Sequence, residues 1–114
     1  MPVEEIRLTT TVARVLRHFL ETPSEPCYGF DLMRATGLAS GTLYVILARL
    51  ERAGWLTSEQ EDINPVAVKR PARRLYRLTP DGAQVARQEL AELSEQLRPP
   101  QHIRARPILQ GGTS

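Results

Sequence analysis

The helical periodicity of this chain stops abruptly at Gly54, and that break constrains the fold more than any other feature. Before it, apolar residues recur at helical spacing in three short blocks, each closed by Pro or Gly. The spacing predicts a first helix from about Thr9 to Glu21, with Val12, Val15, Leu16, Phe19 and Leu20 on one face and Arg14, Arg17 and His18 largely elsewhere. Thr9, Thr10 or Thr11 caps it, and Pro23 and Pro26 prevent its continuation. A second helix is expected at roughly Gly29 to Thr36, offering Phe30, Leu32 and Met33 for burial, with Gly37 in the left-handed position at its end. A third, about Gly41 to Ala53, has Ser40 as its N-cap and Leu43, Ile46, Leu47 and Leu50 as its core stripe.

After Gly54 the pattern becomes extended. Two strands are expected, Trp55–Glu61 and Arg73–Leu78, joined by an exposed loop containing Pro65 and Pro71. In the second strand Leu75 and Arg77 alternate with Arg74, Tyr76 and Leu78, so Arg73 and Arg77 share one face and Arg74 and Tyr76 the other. Thr79-Pro80-Asp81-Gly82 then opens a last helix to about Leu97: Thr79 as N-cap, Pro80 in the first turn, Asp81 against the helix dipole. Two helices, a short Gly-containing connection, a third helix and two strands make a mainly α (α+β) winged helix-turn-helix with a two-stranded wing and a long C-terminal helix.

Ala86, Leu90, Leu93 and Leu97 form a short coiled-coil-like seam on that helix. Packing on its own domain is one use of the seam. A helix placed after the wing has little home core left to cover, which favours dimerisation. The expected organisation is therefore an N-terminal arm (1–7), the winged domain (8–79), a dimerisation helix (80–98) and a flexible tail (99–114).

At 114 residues the chain is one domain, and 41% hydrophobic with 25% charged residues excludes general disorder. The longest apolar run, Leu43–Ala48, is far too short for a membrane helix, and the acidic Met1-Pro-Val-Glu-Glu start is unlike a secretory signal. A cytoplasmic location is expected. The single Cys27 excludes an intrachain disulfide and any multi-cysteine metal site. His18 and His102 lack neighbours at metal spacing, Glu89, Glu92 and Glu95 read as a solvated face, and no nucleophile–base set or phosphate loop stands out. Neither an enzyme nor a cofactor is expected.

The net charge of +2 hides a strong asymmetry. Residues 1–66 carry six Arg against nine acids, whereas residues 67–78 hold Lys69, Arg70, Arg73, Arg74 and Arg77 and no acid. Such a block suits a polyanion, whose condensed counterions are released on neutralisation. A solvated, solubilising loop explains the same density.

The sequence also resembles the PadR-like transcriptional regulators. The resemblance rests on Tyr28-Gly29-Phe30-Asp31-Leu32, on Leu38-Ala39-Ser40-Gly41-Thr42-Leu43-Tyr44, on Leu47 through Trp55, and on Arg70-Pro71 running through Leu78-Thr79-Pro80-Asp81-Gly82. It covers about residues 8–97. It implies a dimeric DNA-binding regulator, usually a repressor and in some members released by a small ligand, here of the short kind with one C-terminal dimerisation helix. Two departures stand out: Val45 where the family often has Pro, and Lys69 where a Gly commonly precedes Arg-Pro.

If the third helix is the recognition helix, its first turn carries the DNA-reading residues Ser40, Gly41, Thr42 and Tyr44. Hydroxyls of Ser40 and Thr42 reach phosphates or base edges, Gly41 admits close approach, and the Tyr44 ring suits a thymine methyl group. A cap for Ser40 and a half-buried core aromatic for Tyr44 are the structural alternatives. Arg49, on the side of Thr42 and Val45, reaches a phosphate or forms a surface ion pair. The resemblance gives Tyr28 a contact to the DNA backbone. On the wing, Lys69 and Arg70 are expected at the tip, entering or flanking the minor groove, with Arg73 and Arg74 behind them. The partners expected are double-stranded DNA, a second copy of the chain, and a small hydrophobic or aromatic effector between the first and last helices. The competing reading is a protein-interaction module whose basic wing binds an acidic partner.

Overall fold

A computed structural model describes residues 3–101. In chain order the elements are α1 (Thr10–Glu21), β1 (Cys27–Tyr28), α2 (Gly29–Thr36), α3 (Ser40–Arg52), β2 (Leu56–Gln60), α4 (Pro65–Val68), β3 (Arg74–Leu78) and α5 (Pro80–Leu97). The order is that of a winged helix-turn-helix. Residues 102–114, with the expected tail's Arg104 and Arg106, lie outside the described residues.

Thr9 caps α1 by accepting the Val12 amide at 3.2 Å. Gly37 ends α2 at φ 73°, as its position after Thr36 requires. Arg14 reaches across from α1 to donate to the Thr36 carbonyl at 3.1 Å, so one exposed carbonyl at the end of α2 is satisfied by a neighbouring helix. The expected core stripe of α3 is buried throughout: Leu43, Ile46, Leu47 and Leu50 meet Val15, Leu16 and Phe19 of α1 and Leu32 of α2. Truncating any of the fully buried leucines to Ala leaves a cavity costing about 2–5 kcal/mol.

Two expectations need correction, and two others hold but gain an element. Ser40 is the first residue of α3 and makes no capping hydrogen bond; Ala39 holds the cap position. Phe30 is 58% exposed, because its helix buries only the Gly29, Leu32 and Thr36 side. The wing is part of a three-stranded antiparallel sheet in the order β1-β3-β2, since Cys27 and Tyr28 pair with Tyr76 and Leu75. The loop between the wing strands contains a helical turn, α4, capped by the Asn64 side chain on the amides of Val66 and Ala67.

The last helix begins as expected and then departs from its expected use. Thr79 accepts the Gly82 amide at 2.9 Å while its hydroxyl donates to the Gly54 carbonyl at 2.8 Å, tying the start of α5 to the turn after α3. Gly82 lies so close to Trp55 that a Cβ there would sit 2.8 Å from the Trp55 Cα. This approach buries Ala83 and Ala86 in the core, Ala86 completely. Ala86 is thus unavailable to a partner subunit, and the first half of α5 does cover home core. Exposure then rises along the helix: Leu90 and Leu93 are half-buried, and Leu97 is 65% exposed. The N-terminal segment also packs, with Ile6 in the core, the Glu4 amide on the Ala53 carbonyl at 2.8 Å, and the Trp55 indole N–H donating to the Glu4 carbonyl at 2.6 Å.

Candidate nucleic-acid interface

Strand β1 brings α2 and the wing together, and four of the expected contact residues, Tyr28, Tyr44, Arg73 and Arg74, gather at that junction. Tyr28, Gly29, Phe30, Tyr44, Ala72, Arg73 and Arg74 line one cleft between α2, α3 and the base of the wing. The Arg73 guanidinium lies 5.4 Å from the centre of the Tyr28 ring, a cation–π distance that fixes both side chains while leaving the guanidinium edge to solvent. Arg74 donates to Ser58 Oγ at 3.0 Å, and Ser58 in turn donates to Glu51 on α3 at 2.7 Å. The wing is thereby braced on the third helix.

The first turn of α3 is open. Ser40, Gly41 and Thr42 are all exposed, and nothing lies within 4 Å of where a Gly41 Cβ would stand. Tyr44 is 43% exposed, but its phenol end rests on Gly29: a Cβ at that glycine would fall 2.8 Å from Tyr44 Cζ. The half-buried alternative therefore describes the phenol end of this side chain. Arg49 is exposed and forms no ion pair with any described residue.

At the wing the basic residues divide into two kinds. Arg70 donates two hydrogen bonds to Glu61, at 2.8 and 3.1 Å, across the base of the α4 loop. The hydrogen bond from Arg70, together with that from the Arg73 amide at 3.1 Å, holds the Glu61 carboxyl down at about pKa 2. Arg70 thus occupies a structural clasp, not the free tip position expected for it. Lys69, the C-cap of α4, is not held in this way. It is exposed and pairs with no described acid, and it adopts φ 62°, the sole left-handed non-glycine residue among those described. The same conformation explains why a glycine suits this place in sequences that this chain resembles.

Three features escaped sequence reasoning. Strand β1 has two residues and so carries no periodicity. The pair Asn64-Pro65 does carry the signature of a helix start and was the available signal for α4. The Glu61–Arg70 pair spans nine residues and needs the loop's path to become visible.

An apolar groove of about 450 Å³ runs between α1 and the end of α5, lined by Ala13, Leu90, Leu93 and Leu97 with Arg14 and Arg17 at its rim. It lies between the first and last helices, where an effector is expected. Among the described residues no helix is long and apolar enough to cross a membrane.

Comparison with known proteins agrees with this geometry. The profile of the transcriptional regulator PadR-like family matches residues 18–92, from the last turn of α1 into α5. No curated protein matches the sequence. Among solved structures, a transcriptional regulator homologue from Pyrococcus horikoshii OT3 is 16% identical with a TM-score of 0.65, over 78% of this chain and 81% of that one. Bordetella bronchiseptica BpsR, whose DNA binding is regulated by 6-hydroxynicotinic acid, is 20% identical with a TM-score of 0.65, over 96% of this chain and 76% of its own. Staphylococcus aureus MepR, a transcription regulator of the multidrug efflux pump MepA, is 17% identical with a TM-score of 0.56, over 79% of this chain and 63% of its own. At these identities the likeness establishes a shared fold.

Proposed function

The chain belongs to the PadR-like family of transcriptional regulators, DNA-binding proteins, and on that premise we propose that it is a homodimeric repressor of a pseudo-palindromic operator. The observation that carries this reading is the junction built by β1, where Tyr28 and Tyr44 share one cleft with Arg73 and Arg74 of the basic wing. In it, Ser40, Gly41 and Thr42 enter the major groove, Tyr28, Arg49, Arg73 and Arg74 meet phosphates, and Lys69 reaches the flanking minor groove. Tyr44 lies at the edge of the contact and positions α3 on α2. Two copies join through the exposed end of α5, Leu93 and Leu97 above all, with Leu90 at the seam's inner end. That arrangement sets half-sites about one helical turn apart.

A small hydrophobic or aromatic effector that loosens the α1–α5 groove would release the DNA. The regulation of BpsR by a small aromatic acid on the same fold supports that part of the reading. The test is anisotropy of a labelled duplex from upstream of the chain's own gene against a shuffled duplex, across a salt series. Expected are a steep salt slope for both duplexes and affinity for the native one higher by about 10³-fold or more. Binding to neither duplex at low salt would reject the assignment and favour an acidic protein surface as the partner of the basic face.

A further inference from the structure

Five of the six large apolar side chains exposed among the described residues lie on the face assigned to DNA: Phe30, Tyr44 and Val45 on the helix pair, Val66 and Val68 on the wing turn. The sixth, Leu97, belongs to the end of α5. Of the three on the helices, Tyr44 is committed to Gly29, and Phe30 carries the Arg34 guanidinium 5.9 Å from its ring centre. Val45 is the freest, 61% exposed on α3.

Its place on the helix is telling. At 100° per residue, Val45 projects away from the centre of the Leu43, Ile46, Leu47 and Leu50 stripe, near the middle of the solvent face. Gly41 lies one turn before it with open space around it, and Thr42 and Arg49 flank it three residues before and four after. A β-branched apolar residue there gains nothing for the helix, since Val has a lower helix propensity than Ala and buries no core surface. In the major groove, the group such a side chain recognises is the 5-methyl of thymine, which protrudes there and nowhere else on the bases.

We propose that Val45 is a specificity-determining residue of this regulator, reading a thymine methyl group in each half-site. The inference rests on α3 being the recognition helix and moves the thymine contact from Tyr44 to its neighbour. A two-methyl side chain against one methyl group discriminates by contact area alone, so losing that methyl weakens binding by about fourfold.

Uracil provides the test, because it differs from thymine by that methyl group and keeps the Watson–Crick pairing. The full chain selects a high-affinity duplex from a random-sequence pool, and each thymine of the selected duplex is then replaced singly by uracil. One position per half-site is expected to lose about fourfold in affinity for the wild-type chain. Val45→Ala should bind the thymine and uracil forms of that position equally, with an unfolding midpoint no lower than wild type. Tyr44→Phe should keep the fourfold difference. A selected duplex insensitive to every uracil replacement, or a loss undiminished in Val45→Ala, overturns the proposal while leaving α3 as the recognition helix. Failure to select any duplex overturns both.

Discussion

At the scale of single residues, three positions show backbone and side chain competing for the same space. Gly82 and Gly29 both sit where a Cβ would collide, but with different neighbours: the Trp55 backbone in one case, the end of the Tyr44 ring in the other. Backbone yields less than an exposed ring. Gly82→Ala is therefore expected to cost about 1–3 kcal/mol and Gly29→Ala clearly less, with the order checked by urea unfolding. Lys69 is the reverse case, a side chain held at a φ of 62° that glycine adopts freely. Lys69→Gly is expected to be neutral or stabilising by up to about 1 kcal/mol in thermal unfolding, while weakening duplex binding and making the salt slope shallower by about one. Stability and binding moving together would reject the minor-groove contact of Lys69. These positions were legible in the sequence only as residue types: glycine at 29 and 82 names a need for space without naming the neighbour that imposes it.

At the scale of elements, the wing and the last helix carry separate tests. Glu61 has a carboxyl pKa of about 2 against an ordinary 4.5, the direction of a group whose charged form is favoured in the folded protein. Its contribution to holding the wing is fully present above pH 4.5 and is lost as pH falls through about 2. Carboxyl NMR should place the Glu61 midpoint near 2 in the native chain and well above it in Arg70→Gln. An unchanged midpoint in that variant would remove the clasp. On α5, Leu93→Asp with Leu97→Asp spares the core that Ala83, Ala86 and Leu90 help to form. Sedimentation should find a folded monomer that has lost tight operator binding; a stable dimer would place the interface elsewhere. The periodic elements were readable to within a residue or two because their apolar stripes, caps and breakers agree, as with Thr9, Gly37 and Thr79-Pro80. Strand β1 and the Arg70 clasp were not, since each exists only once distant segments meet.

Across the whole molecule, the wing and α3 carry the exposed cations Arg49, Lys69, Arg73 and Arg74, while the groove of α1 and α5 is lined by Leu90, Leu93 and Leu97 with Arg14 and Arg17 at its rim. Sequence reasoning found the basic block and set Lys69 and Arg70 together at its tip; the structure ties Arg70 to Glu61 and leaves Lys69 exposed beside it. It also placed all of α5 with a partner, because an Ala-rich helix shows no large side chain to announce that its first turns belong at home. Trp55, 1% exposed, is where these parts converge: its indole holds the Glu4 carbonyl, its backbone seats Gly82, and its carbonyl receives the Thr79 amide at 3.0 Å. As the chain has one tryptophan, the molecule carries a built-in optical gauge at the joint between the half proposed to face DNA and the half proposed to face a partner. A shift of α5 against α3 would wet that indole and redden its emission, so coupling between the two halves registers as colour without any added dye.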